Sequence, residues 1–489
     1  MKKRKLFLST FLIYINAING QTISKSEVFK NEHVKINAFS FSPQNVLPEI
    51  TREHGIRRFY TMNLSNGKIG CLWQDKNNKD ILLTSYQADF TGQITIPLKN
   101  TGKGLLLSAC TDEKGNIYYA ISYSSSEPLD RGLKFMLYKY SKEGVHIASK
   151  SHNTDKDGLN IYDITEKYMN TMRCKNGQLL MLIERRYHEG IDGLNHQGGS
   201  ALLFESTQLR LIKDLGQTSG HSFDNYLTTS NNGFIGADLG DNYPRGVHFH
   251  EFKSKEETVI KSSKVVYTFK TEHSTRPSYS TGMPSYPKYT EISKTGKIFY
   301  KWSNDNSTYG EIGGVVEVSD GYLIFFTGEP SPEGKSIDNF RAGNSEDLRN
   351  VGFVKISKTF NQDEKPILSN GINEKGGFYS FGGQWTDQEN IGIVWLTNIK
   401  NTTDQGVRNL KTVKIDEKVI LLWEQTTNLG GKTNILLKVD KNGKPIGSAI
   451  NLGDVITLNR RDDLMVLNGK IYLTGNHLGR LTLFEFGGI

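Results

Sequence analysis

The chain has 489 residues, with 60 Lys+Arg against 52 Asp+Glu and only three cysteines. Four of the basic residues (Lys2, Lys3, Arg4 and Lys5) open the chain. What remains is close to neutral, without the clustered Lys/Arg that nucleic acid requires. Beyond the opening segment no stretch reaches the ~18 consecutive apolar residues of a membrane-spanning helix, and no CxxC pair marks a zinc or redox motif.

In chain order, residues 1–20 read as a Sec-type signal peptide, with a basic start, an apolar run from Leu6 to about Ile18, and small Gly20 before Gln21. No cysteine follows the apolar run, so the lipoprotein route is not expected. Residues 21–489 are then an exported protein, periplasmic or at the cell surface. Helical periodicity is rare in it. Instead a polar turn, usually with Gly, is followed by a short apolar strand, as in "SNGKIGCLWQ", "DEKGNIYYAIS", "CKNGQLLMLIE", "SNNGFIGADLG", "SKTGKIFYKWS", "VSDGYLIFFTG", "IDEKVILLWEQ" and "LNGKIYLTGN". Glycine in such a turn supplies positive φ at little cost and sets the register of the strand that leaves it.

The turn glycines fall at 67, 115, 177, 233, 296, 321 and 469, with Glu417 in the equivalent place, and most steps are 48 to 63 residues. A four-stranded unit repeated at that period predicts an all-β fold, a single β-propeller over 21–489 with four-stranded antiparallel blades. Seven blades fit the length best and eight are the alternative. Gly321 reads as an extra hairpin inside a blade, with "EKGGFYSFGGQW" marking the next one. A strand near "INAFSFSP" would complete the blade that holds the C-terminal strand "RLTLFEFGGI" and so close the ring. The three cysteines, each in or beside an apolar run, read as buried small hydrophobes. One disulfide with one thiol left over is the alternative.

The repeat also serves as a ruler. Seven residues past each turn position the strands become polar together, at Gln74, Ser122, Glu184, Gly240, Ser303, Gly328, Glu424 and Asn476. Equivalent strand ends share one rim, where loops from every blade converge. Glu184, Arg186, His188, Asp238, Asp241, Arg245 and Glu424 are therefore the candidate ligand-binding residues. Trp385, in a Gly-rich polar stretch, is a candidate sugar-stacking aromatic. Asp238 and Asp241 read first as a structural brace with Arg245, and otherwise as calcium ligands or a carboxylate pair for acid/base chemistry. Six histidines cluster between His188 and His273, without HExxH or a Cys/His pairing, so no metal site is assigned. "SGHSFDNYL" lacks the GxSxG context of a serine hydrolase. Trp73, Trp302 and Trp423 share one repeat phase and are expected to pack between blades.

With its leader ending at Gln21, its Lys/Asn-rich composition and these turn-strand repeats, the chain resembles secreted β-propeller proteins of Bacteroidota. That resemblance implies a periplasmic or surface protein of the kind that partners outer-membrane machines, among them the protein that plugs the type IX translocon. The function expected is non-catalytic: docking a protein partner, with an outer-membrane β-barrel as the candidate and the 275–289 loop as a contact surface. The alternative is a carbohydrate-binding or carbohydrate-active propeller.

Overall fold

Tight turns build this molecule. At Asn176-Gly177 and Asn468-Gly469 both central residues have positive φ, 49° and 76°, then 51° and 72°. That geometry matches the twist of the strands on either side, so the chain reverses in two residues. The computed structural model describes residues 24–30, 35–40, 59–75, 77–89, 91–100, 104–123, 134–153, 163–164, 170–189, 195–220, 222–240, 246–255, 258–268, 310–328, 349–360, 375–380, 384–389, 393–399, 406–426, 431–458, 462–477 and 480–487. No helix occurs among them.

The strands form seven antiparallel blades, as the turn period predicts. Numbered by their innermost strands, the blades begin with Phe59–Asn63, Leu105–Thr111, Thr171–Lys175, Ser222–Ser230, Glu311–Val318, Val407–Ile415 and Met465–Leu467. These seven inner strands touch in cyclic order, the last against the first. Each blade adds its later strands outward. The seventh closes the ring with strands from both ends of the chain: Lys35–Ser40 pairs antiparallel with Arg480–Gly487, and Ser24–Lys30 adds a fifth strand outside it.

The core is divided among the seams. Seven apolar clusters lie one at each interface between neighbouring blades. At the seam of blades seven and one, Trp73 is buried with Phe59, Tyr86, Tyr472 and Leu483, and its Nε1 donates to Thr84 Oγ1 at 3.0 Å. Trp423 does the same work between blades five and six. The expected inter-blade role of this repeat phase therefore holds at both positions, while Trp302 lies outside the described residues. All three cysteines are buried thiols.

Two details of the repeat differ from expectation. Gly321 is the first hairpin of blade five rather than an extra one, joining Glu311–Val318 to Gly321–Gly328. A Cβ there would stand 2.2 Å from the Ile356 carbonyl oxygen, so the close third strand requires glycine. "EKGGFYSFGGQW" starts no blade: Lys375–Ser380 and Gln384–Glu389 form a separate two-stranded sheet, inside the connection that leads to the short outer strand of blade five, Val394–Trp395. The turn at Gly296 lies outside the described residues.

Candidate functional site

The two rims of the ring are built differently. Inner strands all end in tight hairpins, which form one rim. On the other rim second strands end and third strands begin, and outer strands cross to the next blade. There the chain between Tyr123 and Lys134, between Asn153 and Asp163, between Thr268 and Glu311, and between Gly328 and Asn350 has both of its ends. On the hairpin rim the stretches between Ser357 and Val394 and between Val439 and Ile450 are comparably long. This is the rim that the polar strand ends predict.

Two residues at the ruler position turn out to hold blades together. Gln74 Oε1 accepts from Leu106 N at 3.1 Å, and its Nε2 donates to Gly104 O at 2.7 Å, both at the start of the next blade's inner strand. Glu424 does the same one seam before closure: its Oε1 accepts from Leu458 N at 2.6 Å. Its Oε2 accepts from Arg408 Nε at 3.2 Å and Asn409 Nδ2 at 3.0 Å. Asn409 N donates in turn to Glu311, which lies 3.9 Å from Arg349. Both Glu424 and Gln74 are buried. Buried amides that cannot reach water need such acceptors, and at these two positions the polar side chain supplies one.

Asp238 is sealed in the seam between blades three and four. It lies on Gly233–Gly240, the second strand of blade four, and accepts from two hydroxyls at the end of blade three's outer strand: Thr218 Oγ1, and Ser219 Oγ at 3.1 Å. His250, on the neighbouring strand Gly246–Lys255, brings Nε2 to 3.8 Å from Asp238 Oδ2, and its Nδ1 is 2.7 Å from Ser263 Oγ. Burial pushes the Asp238 carboxyl up to about 6, with the Thr218 and Ser219 hydroxyls and the Lys261 charge pulling the other way and Asp224 adding to the rise. Burial, then Lys261 and His248, holds His250 well below the usual imidazole range, so it is neutral and the two groups are not an ion pair. Gly199 is required beside them, because a Cβ would stand 2.5 Å from both Asp238 Oδ2 and Thr218 Oγ1.

The other candidates are placed by backbone alone or not at all. Glu184, Arg186 and His188 lie on Gln178–Glu189, the second strand of blade three, where Glu184 pairs with Gly199 and Arg186 with Gln197. Gly199 is the residue against Asp238, so the backbone at Glu184 runs one strand away from the sealed pair. Trp385 lies on the strand Gln384–Glu389, opposite Tyr379, not in an irregular loop. Asp241 and Arg245 lie outside the described residues, so their brace with Asp238 has no structural counterpart to report. No group of three His, Cys, Asp or Glu among the described residues is arranged to hold a metal.

A second feature has no signature in the sequence. The inner strands of all seven blades enclose a cavity of about 640 Å³ that runs toward the hairpin rim. At its deep end Arg173 of blade three reaches Asp463, which precedes blade seven's inner strand, with Nη2 and Oδ2 2.7 Å apart. Tyr226 stands beside them, its phenol pushed up to about 12 by burial and then by the Asp463 charge. Nearer the hairpins, Lys175 donates to Ser230 O and Asn231 O, and Lys414 to Glu317 O at 3.0 Å. Charge is balanced along the wall, and the sequence hides this because Arg173 and Asp463 are 290 positions apart.

Compared with known proteins, the chain matches no family model and no curated protein. Among solved structures it is similar to the polysaccharide lyase Uly1, at 9% identity over 91% of this chain and 92% of that one, with a TM-score of 0.43. It is also similar to an α-L-arabinanase of Cellvibrio cellulosa complexed with arabinohexaose, at 9% identity over 68% and 90% with a TM-score of 0.31. The WD40 domain of SCAP from fission yeast matches at 8% identity over 96% and 98% with a TM-score of 0.34. These three differ in role, and likeness at such scores leaves the function of this chain to be argued from its own residues.

Proposed function

We propose that this chain is an exported, non-catalytic β-propeller that docks a protein partner, as an accessory or plug subunit of an outer-membrane transport or secretion complex. The observation that carries this reading is the asymmetry of the rims: most connections longer than a turn have their ends on one face, while on the other every inner strand turns back in a tight hairpin. A ring of packed blades whose long connections have their ends mainly on one side is suited to holding a large partner. The buried carboxylates support the same reading, because Glu424 spends one oxygen on the Leu458 amide toward blade seven and the other on Arg408 and Asn409 within its own blade, and Asp238 is closed off from any substrate.

The polar cavity favours a second reading, carbohydrate recognition, since a wall of threonine, asparagine and charged groups suits a hydroxylated ligand.

The test is affinity purification of the tagged protein from its own cell envelope, with residues 275–289 native or replaced by a Gly/Ser linker of equal length. The native protein should retain an outer-membrane β-barrel in stoichiometric amount. The replacement should lose it by on the order of tenfold or more while keeping its thermal midpoint within a few degrees. Retention of both forms on a glycan array, with no barrel bound, would sink the docking role and favour the carbohydrate reading.

A further inference from the structure

The rim end of the seam between blades three and four holds two polar atoms that packing ordinarily avoids. Asp238 Oδ1 and His250 Nε2 are both sealed from solvent, and neither has a hydrogen-bond partner among the described residues. The other oxygen of Asp238 is 3.8 Å from that same nitrogen. Each atom is what the other lacks: a protonated carboxyl donates, and a neutral imidazole accepts. Ser263 Oγ, 2.7 Å from His250 Nδ1, anchors the ring on its far side. We propose that Asp238 and His250 hold one proton between them, and that its presence or loss sets how tightly blades three and four close on each other.

With the proton in place Asp238 is a neutral acid. Its O–H is aimed at His250, and its remaining acceptor capacity serves Thr218 and Ser219 across the seam. Without the proton a carboxylate is sealed in the seam, solvated by those two hydroxyls alone. Among the described residues the charged groups facing the pair are Lys261 from the outermost strand of blade four, Asp224 from its innermost strand, and His248 two residues along the strand of His250. Lys261 opposes the proton and Asp224 favours it. Among the described residues blade three presents Thr218 and Ser219, while Asp214 on the same strand is turned to the Gly216 amide at 2.8 Å. Lys261 itself donates across the seam to Gln217 O, so the charge that competes with the proton also ties the two blades.

The direction with pH follows. Burial raises the Asp238 carboxyl above its unfolded value of 3.8, to about 6. The tightening is therefore complete below about pH 4 and is lost as pH rises through about 6. His250 stays neutral across this window, because burial lowers its affinity for a proton of its own. Both Asp238 and Ser219 lie within two residues of the ends of their strands at Gly240 and Gly220, so loosening here acts on the rim of long connections.

Hydrogen exchange of the full-length mature protein, read by mass spectrometry from pH 5 to pH 8 and corrected for intrinsic rates, tests this. Peptides from Leu211–Gly220 and Gly233–Gly240 should exchange on the order of tenfold faster, relative to blade one, above pH 7 than at pH 5. Asp238→Asn carries an amide that donates to His250 without a charge, and should stay protected at every pH. Ser219→Ala removes one donor to the carboxylate and should move the midpoint to higher pH; it decides the matter alone if Asp238→Asn does not fold. A seam whose exchange ignores pH overturns the proposal. So does a transition that persists in Asp238→Asn, or one whose midpoint is unmoved in Ser219→Ala.

Discussion

A chain that begins at residue 41 should lose cooperative folding, whereas one that begins at residue 34 should keep nearly all of its stability. The difference lies in which strand each truncation removes from the closing blade. Ser24–Lys30 is a fifth, outermost strand, and without it blade seven still has the four strands of its neighbours. Lys35–Ser40 is the fourth strand. It pairs with the C-terminal strand residue for residue, from Lys35 opposite Gly487 to Ser40 opposite Thr482. Removing it frees the edge of a strand whose Leu483, Phe484 and Phe486 are buried, and it leaves the two ends of the chain no longer joined in one blade. An unpaired apolar edge templates association with other chains, and the two chain ends lose the pairing that ties them together. The loss is comparable with the whole ~5–15 kcal/mol that holds a domain folded. Urea unfolding together with size-exclusion chromatography would show it. The longer truncation should aggregate or unfold without a sharp transition, and the shorter one should remain monomeric with its midpoint little changed. Equal behaviour of the two would mean that the strand pairing of the chain ends does not close the ring.

Turn chemistry made the architecture legible. Gly67, Gly115, Gly177 and Gly469 occupy backbone with φ between 72° and 80°, a conformation that few other residues adopt, so their recurrence marked the blades. The count blurred where connections grew long. Between Thr268 and Glu311 and between Ser357 and Val394 the spacing no longer measures a blade, and Gly321 was displaced from its place in the series. The rim was legible for the same reason as the turns, because strand ends keep phase with them. The roles of residues on that rim were not. A polar side chain at a strand end looks alike in sequence whether it faces a ligand or the next blade's amide, and Gln74 and Glu424 face amides. Asp238 drew attention through its neighbours Asp241 and Arg245. Its observed partners, Thr218, Ser219 and His250, come from another blade and another strand, where no spacing rule connects them. Arg173 and Asp463 meet only because seven blades bend the chain into a ring.

Glu424→Ala should cost about 3–5 kcal/mol, the range for removing one partner of a buried charged pair. The carboxylate is 1% exposed and ties three points together: the Leu458 amide at the entry of blade seven, the Arg408 guanidinium, and the Asn409 side chain at the start of blade six. Truncation to alanine removes an acceptor from all three at once. Arg408 keeps a path to water, since a fifth of its side chain is exposed, but the buried amide has none. Gln74→Ala, at the same phase in blade one, should cost less, roughly 1–3 kcal/mol, because a neutral amide is lost and no cation is stranded. Glu424→Gln separates the two parts of the larger cost. It keeps the volume and one oxygen for Leu458, as Gln74 does for Leu106, and should recover the share that belongs to the amide while leaving Arg408 without its charge. Urea midpoints of the three variants against the native chain give the ranking, with Glu424→Ala the most damaged and Glu424→Gln between it and native. Partner binding should be unchanged in Glu424→Gln, because the side chain acts inside the ring. If that variant kept full stability and yet lost a glycan-directed activity, Glu424 would be working on a ligand, and its bonds to Leu458, Arg408 and Asn409 would be incidental to its function.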